Sequence, residues 1–435
     1  MAKSLKLLTG AAIAAAPIAA VPLLLAPTPA LAARHGDSTG AEVAGFYRAR
    51  GGAPLWFSPR SGDAAQQLLT LLSTARADNL NPNRYNLKGV ARAIQAARRG
   101  DVGRSEQVLS QAFVAFARDV RHDPGGVIYV DAELKPTPPS AAALLSQAAA
   151  ASNLADYVEN EGWMSPIYGK LRLALASRLY RSERERQLLA LNLERARALP
   201  SGSGRYVIVN APAARLYMYE NGQVVDSMRV VAGRPDPIAQ TPMMNAFIRY
   251  VALNPYWNSP ADITAKKLAP TILKEGRAYF TKRGYELLSD WGDHPRVLDP
   301  MSNDWRAVQA GRIQARLRQK PGPANSMGKM KFMFPNPQGI WLHDTPEREK
   351  IEDAARLQSN GCVRLEDAKR LARWLFNGRP PSPQGAKPEQ KVNLPSPVPL
   401  YITYLTAVPS GTSIVYFDDF YGKDRGESRR FAGLL

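Results

Sequence analysis

The chain reads as a multidomain α and β protein, a helical N-terminal domain followed by a β-rich domain that carries an insertion. Three observations point there. From about Ser38 to Pro200 apolar residues recur at three- and four-residue spacing, the period of amphipathic helices. At Ser201-Gly-Ser-Gly the pattern turns to alternation, the period of strands. Between residues 257 and 326 a charged, helix-like stretch interrupts those strands. The expected organisation is residues 1–32 as a signal peptide, 33–200 helical, 201–378 β-rich with the insertion at 257–326, and 379–435 as a proline-rich linker, terminal strands and tail.

The helical runs are Ala64 to Ala75, Val108 to Val120, Ala141 to Tyr157 and Pro166 to Leu199, broken by turn chemistry at Asn79-Leu-Asn-Pro-Asn, His122-Asp-Pro-Gly-Gly and Lys135-Pro-Thr-Pro-Pro. No polar cluster in this region suggests catalysis, so it reads as scaffold, with substrate docking as the alternative. Strands follow at Arg205 to Asn210 and Arg215 to Glu220, and Asn221-Gly222 signals a hairpin into Gln223 to Val231. Asn245 to Leu253 forms the next strand and leads into Asn254-Pro-Tyr-Trp-Asn-Ser-Pro. Beyond the insertion, alternation puts Phe332 with Phe334, and Ile340 with Leu342, on single faces of two further strands. A short amphipathic helix is expected after Cys362, from Glu366 to Phe376.

With 57 Lys and Arg against 38 Asp and Glu, the formal charge is +19. Such a balance suits nucleic acid or an anionic polymer or surface. Cationic residues are spread along the chain, and no zinc-finger spacing, RNP-like motif or P-loop occurs, which argues against nucleic acid. At the N-terminus, Lys3 and Lys6 precede an uncharged stretch from Leu7 to Ala33 that contains Ala30-Leu31-Ala32, the form signal peptidase cleaves. Export to the periplasm or cell envelope is expected, with an uncleaved membrane anchor as the alternative.

Cys362 is the only cysteine, which excludes an intramolecular disulfide and a multi-cysteine metal site. An unpaired thiol is a liability in an oxidising compartment unless it is used. Of the four histidines, His35, His122 and His294 fall in the cleavage region, a turn and the insertion. His343 ends a strand 19 positions before Cys362 and is the candidate base for a thiol nucleophile. Around the thiol stands Ser359-Asn360-Gly361-Cys362-Val363-Arg364. In such a turn the N–H groups of Gly361 and Cys362 can face a developing oxyanion, and a helix N-terminus with Arg364 would favour thiolate. Arg364 also suits a substrate carboxylate or a surface salt bridge.

His343-Asp344-Thr345-Pro346 followed by Ser359-Asn-Gly-Cys-Val-Arg resembles the signature of YkuD-type L,D-transpeptidases, in particular the YcbB-like branch. The likeness extends through Asn254-Pro-Tyr-Trp-Asn-Ser-Pro, Pro323-Ala-Asn-Ser-Met-Gly-Lys-Met-Lys-Phe and Leu191-Asn-Leu-Glu-Arg, roughly Gly40 to Gly422. It implies a helical scaffold domain before a β-rich catalytic domain with an inserted capping subdomain. It further implies that Cys362 attacks the diaminopimelate carbonyl of a donor tetrapeptide stem, expels D-alanine and leaves a thioester, while His343 cycles the proton. An amine of a second stem then resolves the thioester, and carbapenems would acylate Cys362. The partners implied are peptidoglycan tetrapeptide stems, donor and acceptor, and other cell-wall synthesis proteins. No metal or organic cofactor is implied.

The resemblance leaves open whether the Asp344 side chain or a backbone carbonyl orients His343. Asn360 stands where many relatives carry histidine, and no separate peptidoglycan-binding module is evident within 33–200. Ser359, Asn360, Arg364, Tyr256 and Trp257 are the candidate substrate contacts, with core packing as the alternative for the two aromatics and for Asn336 and Trp341. A cysteine carboxypeptidase or hydrolase on stem peptides shares every one of these residues. A non-catalytic wall-binding protein would not need them.

Overall fold

The computed structural model describes residues 30–427. The expected signal peptide lies outside the described residues apart from its last three positions. No described helix is long and apolar enough to cross a membrane.

Eight helices build the first part: α1 (Ala30–Ala49), α2 (Ala64–Ser73), α3 (Leu87–Ala97), α4 (Val102–Val120), α5 (Ala141–Ala150), α6 (Leu154–Glu159), α7 (Pro166–Ala176) and α8 (Glu183–Ala196). Asn86, Ser140, Asn153, Ser165 and Ser182 cap five of them, each side-chain oxygen accepting a backbone N–H of the first turn. The two longest expected runs are each split, because Asn153 starts a new helix within the first and Arg178, at φ 56°, ends α7 within the second. Buried charges help to hold this part together. Glu106, 2 % exposed, accepts the N–H groups of Leu55, Trp56 and Phe57 and the Tyr47 hydroxyl. Arg172 pairs with buried Asp78 and Glu161, and Arg197 with Glu194.

The second part is built on strands β1 (Ile128–Tyr129), β2 (Arg205–Asn210), β3 (Arg215–Glu220), β4 (Gln223–Gly233) and β5 (Met244–Leu253), then β6 to β9 in the insertion. After it come β10 (Met330–Met333), β11 (Leu342–His343), β12 (Leu357–Ser359), β13 (Val363–Leu365) and β14 (Gln390–Thr403), and a hairpin of β15 (Ala407–Ser410) and β16 (Ser413–Tyr416). Hydrogen bonding runs β5-β10-β11-β13-β4-β3-β2-β14 and returns to β5, so the strands close on themselves. Inside sit Val207, Val209, Leu216, Met218, Phe332, Leu342, Val363, Leu365 and the buried face of helix Ala368–Leu375. Alternation sends Tyr206 and Ile208 to the opposite face of β2, into the core of the helical part. Both faces are covered, which is why β2 is buried almost throughout. The Asn221-Gly222 turn forms as expected, both residues at positive φ between Glu220 and Gln223.

Two expectations change. The proline-rich linker is in part strand: residues 390–399 belong to β14, which closes the ring against β5 and β2. Its prolines, Pro395, Pro397 and Pro399, sit at alternate positions, so the missing N–H donors all fall on one edge, and pairing with β5 shifts register between Asn393 and Val398. The insertion, expected as helical, holds a four-stranded sheet as well: β6 (Trp257–Asn258), β9 (Arg316–Gln319), β7 (Tyr285–Leu288) and β8 (Val297–Leu298), in that spatial order. With helices between residues 261 and 283 and at Trp305–Gln309 it encloses a small core of its own around Ile272, Phe280, Leu287, Trp305 and Leu317. The sequence pattern hid these strands because they are two to four residues long, too short to display a period.

Candidate active site

Strand pairing turns a separation along the chain into adjacency in space. β11 lies parallel to β13 with His343 opposite Arg364, and antiparallel to β10 with Lys331 opposite His343. Phe332, Leu342, Val363 and Leu365 point into the barrel, so alternation sends Lys331, His343, Arg364 and Cys362 to the outer face together. The insertion roofs that face. Between them lies a cavity of about 400 Å³, lined from below by Cys362, His343, Lys331 and Arg364 and from above by Tyr256, Trp257 and Ile263. Trp341 also lines it, with Lys331 Nζ 5.6 Å from its ring centroid. Asn336 is a turn clamp, donating to the Phe334 and Ile340 carbonyls and accepting the Ile340 N–H.

His343 is 2 % exposed, and its Nδ1 lies 2.6 Å from the backbone carbonyl of Asp344. A carbonyl only accepts, so Nδ1 carries the proton and Nε2 presents a lone pair. The choice left open by the sequence resolves to the backbone. The Asp344 carboxylate is occupied elsewhere, accepting the Lys329 N–H at 2.9 Å and pairing with Arg348 at 2.6 Å.

The turn that carries Cys362 is held by the Ser359 side chain. Ser359 Oγ donates to the Cys362 carbonyl at 2.5 Å and accepts the Gly361 N–H at 3.1 Å. The expected oxyanion role of the Gly361 N–H is therefore corrected: that donor is engaged. The Cys362 N–H makes no hydrogen bond among the described residues. Gly361 itself is required, since at φ 109° a Cβ would stand 2.9 Å from Ile340 Cδ1. The half-buried Cys362 thiol lies 3.6 Å from the Gly339 carbonyl. A helix N-terminus was also expected at the thiol. β13 intervenes instead, and the helix begins only at Ala368, because the residues after Cys362 are needed to pair with β4 and β11.

Residues 204–384 match the L,D-transpeptidase catalytic domain family, YkuD, and residues 41–175 match the scaffold domain family. The chain carries a YkuD L,D-transpeptidase catalytic domain preceded by a scaffold domain. It is also 27 % identical over 395 residues to a Haemophilus influenzae protein named "Putative L,D-transpeptidase", covering 88 % of this chain and 78 % of that one.

Electrostatics in the transpeptidase domain favour the neutral forms of both the Cys362 thiol and the His343 imidazole. Burial lowers His343 to about 3, helped by the neighbouring cations Arg364 and Lys331, against the pull of the Asp344 carbonyl. Burial raises the Cys362 thiol, while the Trp341 N–H, Arg364 and Lys331 draw it partly back. The resting pair is thiol and imidazole. The expected shift to thiolate is thus corrected, since desolvation outweighs the cations.

The remaining candidates sort by their partners. Arg364 is ion-paired with Glu347, the salt-bridge alternative, while still lining the cavity. Asn360 Oδ1 accepts from Arg234 and, at 3.2 Å, from Lys267 Nζ of the insertion, tying roof to floor. Tyr256 lies under Arg318, whose guanidinium is 4.2 Å from the ring centroid. Trp257 packs on the insertion's own core with one edge in the cavity. His122 pairs with Glu194 in the helical part, and His294 is exposed in the insertion, so neither reaches the site. Sequence reasoning missed Lys331 and Arg234. Alternation placed Lys331 opposite Phe332, but only the β10–β11 register sets it beside His343.

Proposed function

We propose that this protein is a peptidoglycan L,D-transpeptidase that cross-links the diaminopimelate residues of two stem peptides through a thioester on Cys362. The single observation that carries the reading is that Cys362 and a His343 with its Nε2 lone pair free line one roofed cavity. Cys362 Sγ attacks the carbonyl carbon at the third position of a donor tetrapeptide as its proton passes to His343 Nε2. The Cys362 N–H faces the resulting oxyanion. Collapse breaks the C–N bond to D-alanine, which leaves with the proton from Nε2. The side-chain amine of an acceptor stem then attacks the thioester carbonyl and gives a proton to Nε2, and the thiol departs by recovering it. Every step moves one proton through one nitrogen, and burial, helped by Arg364 and Lys331, keeps that nitrogen unprotonated at rest.

Two stems need two places to lie. A second cavity of about 270 Å³ adjoins the first, sharing Trp257, Asn360 and Arg364 and adding Lys267, Lys350 and Arg283. Its cations suit the carboxylates of stem peptides, which favours transfer to an amine over transfer to water. Tyr256 and Trp257 line the mouth and offer apolar contact to the sugar or peptide. We also propose that residues 1–32 direct export to the periplasm and that carbapenems acylate Cys362. The test is incubation of the protein with disaccharide tetrapeptide, followed by mass spectrometry. Cross-linked dimer with free D-alanine is the expected product. Tripeptide without dimer would reassign the protein as a hydrolase, and no reaction at all would leave a wall-binding role.

A further inference from the structure

The Gly361 carbonyl and the Cys362 N–H belong to one planar peptide unit and point in opposite directions. Whatever grips the carbonyl therefore aims the N–H. The grip is Thr241, 1 % exposed, whose Oγ1 donates to the Gly361 carbonyl at 2.8 Å and accepts the Gly233 N–H at 2.8 Å. Thr241 is held in turn by Tyr421, far along the chain. The Tyr421 hydroxyl accepts the Thr241 N–H at 3.3 Å and donates to the Gly233 carbonyl at 2.6 Å. Tyr421 is anchored by its own N–H on the Tyr404 hydroxyl, which donates to Asp419 at 2.8 Å, and by stacking on the Tyr404 ring at 5.1 Å between centroids.

We propose that Thr241 is the residue that positions the oxyanion-binding N–H of Cys362, and that Tyr421 extends this role to the C-terminal segment, outside the residues matched by the catalytic-domain family. Glycine at 361 makes the anchor necessary. Without a Cβ the peptide between 361 and 362 rotates at little steric cost, and the Gly361 N–H, held by Ser359, does not fix the other side of the residue. Loss of the Thr241 hydroxyl frees that peptide and leaves thiol and imidazole where they are.

The proposal rests on the acyl-transfer reading above, and its experiment separates the two. In the full chain, acylation is followed by D-alanine release from disaccharide tetrapeptide, and thiol nucleophilicity by alkylation of Cys362 with iodoacetamide, a displacement that builds no oxyanion. Thr241→Val should lower kcat for D-alanine release about 100-fold with KM little changed, the scale of a lost oxyanion donor, while the alkylation rate stays within about twofold. Thr241→Ser should restore most of the activity, and Tyr421→Phe should lower kcat by roughly tenfold with the same split. Equal loss of acylation and alkylation would overturn the proposal in favour of plain structural damage. Unchanged kcat in Thr241→Val would overturn it outright. Absence of D-alanine release by the unaltered protein would instead count against the reading on which it rests.

Discussion

At Cys362 and His343 burial, not charge, sets the resting protonation, and this has a measurable signature. Because His343 is neutral above about pH 3 and the thiol is raised, neither group changes charge near neutrality. The rate of Cys362 acylation, as kcat/KM, should be flat from about pH 5 to pH 8, where a thiolate–imidazolium pair would give a bell. Stability behaves differently. An unfolded chain protonates His343 near its ordinary value while the folded one resists down to about 3, so stability is full above that ordinary value and is lost as pH falls toward 3. Denaturant midpoints at neutral and mildly acid pH should therefore separate more for the unaltered protein than for His343→Gln. The same variant should acylate at least about 100-fold more slowly, by mass-spectrometric adduct formation, and Cys362→Ala should form no adduct. These two residues stood out as candidates from a lone cysteine, a short list of histidines and a family signature. The protonation of the pair was not, since it depends on how completely the roof excludes water.

Length alone did not make an element legible. Helices α2 and α4 and strands β2 to β5 fall where periodicity placed them, whereas α1 and α3 were not singled out and the two longest helical runs proved to be split; the Asn221-Gly222 turn follows from residues that tolerate positive φ. The short strands of the insertion and the proline-bearing half of β14 were not legible, because partners elsewhere in the chain make them strands. The nucleophile turn is the element most exposed to substitution. Gly361→Ala meets both a φ of 109° and the Ile340 side chain, and should cost roughly 1–3 kcal/mol of stability in denaturant titration together with most of the activity. In the helical part, Glu106→Ala leaves three backbone donors of the Leu55–Phe57 loop without their acceptor. It should destabilise by about 3 kcal/mol, read by thermal or chemical unfolding.

Across the whole molecule the parts share one construction. Tyr206, Ile208, Tyr219 and Tyr401 from the strands, with Leu405 just beyond β14, lie in the same core as the helices, and buried Asn192 of α8 exchanges hydrogen bonds with Thr406. A chain ending at residue 384 contains every residue matched by the catalytic-domain family yet lacks β14, the strand that closes the ring. It should fail to give a cooperative unfolding transition by circular dichroism, whereas a chain through residue 427 should give one. The sequence by itself determined the class of the fold and the family, and singled out Cys362 and His343 as the candidates, because periodicity, a single cysteine and a spaced motif are local properties of the chain. Only the tertiary structure decided that a backbone carbonyl orients His343, that Ser359 has taken the Gly361 N–H, that residues of the insertion line the site, and that Tyr421 of the C-terminal segment hydrogen-bonds Thr241 and Gly233. The first two are bonds to near neighbours in the chain, whose geometry follows from strand register, and the last rests on hydrogen bonds between segments as much as 188 residues apart, as from Gly233 to Tyr421, where no pattern along the chain records who meets whom.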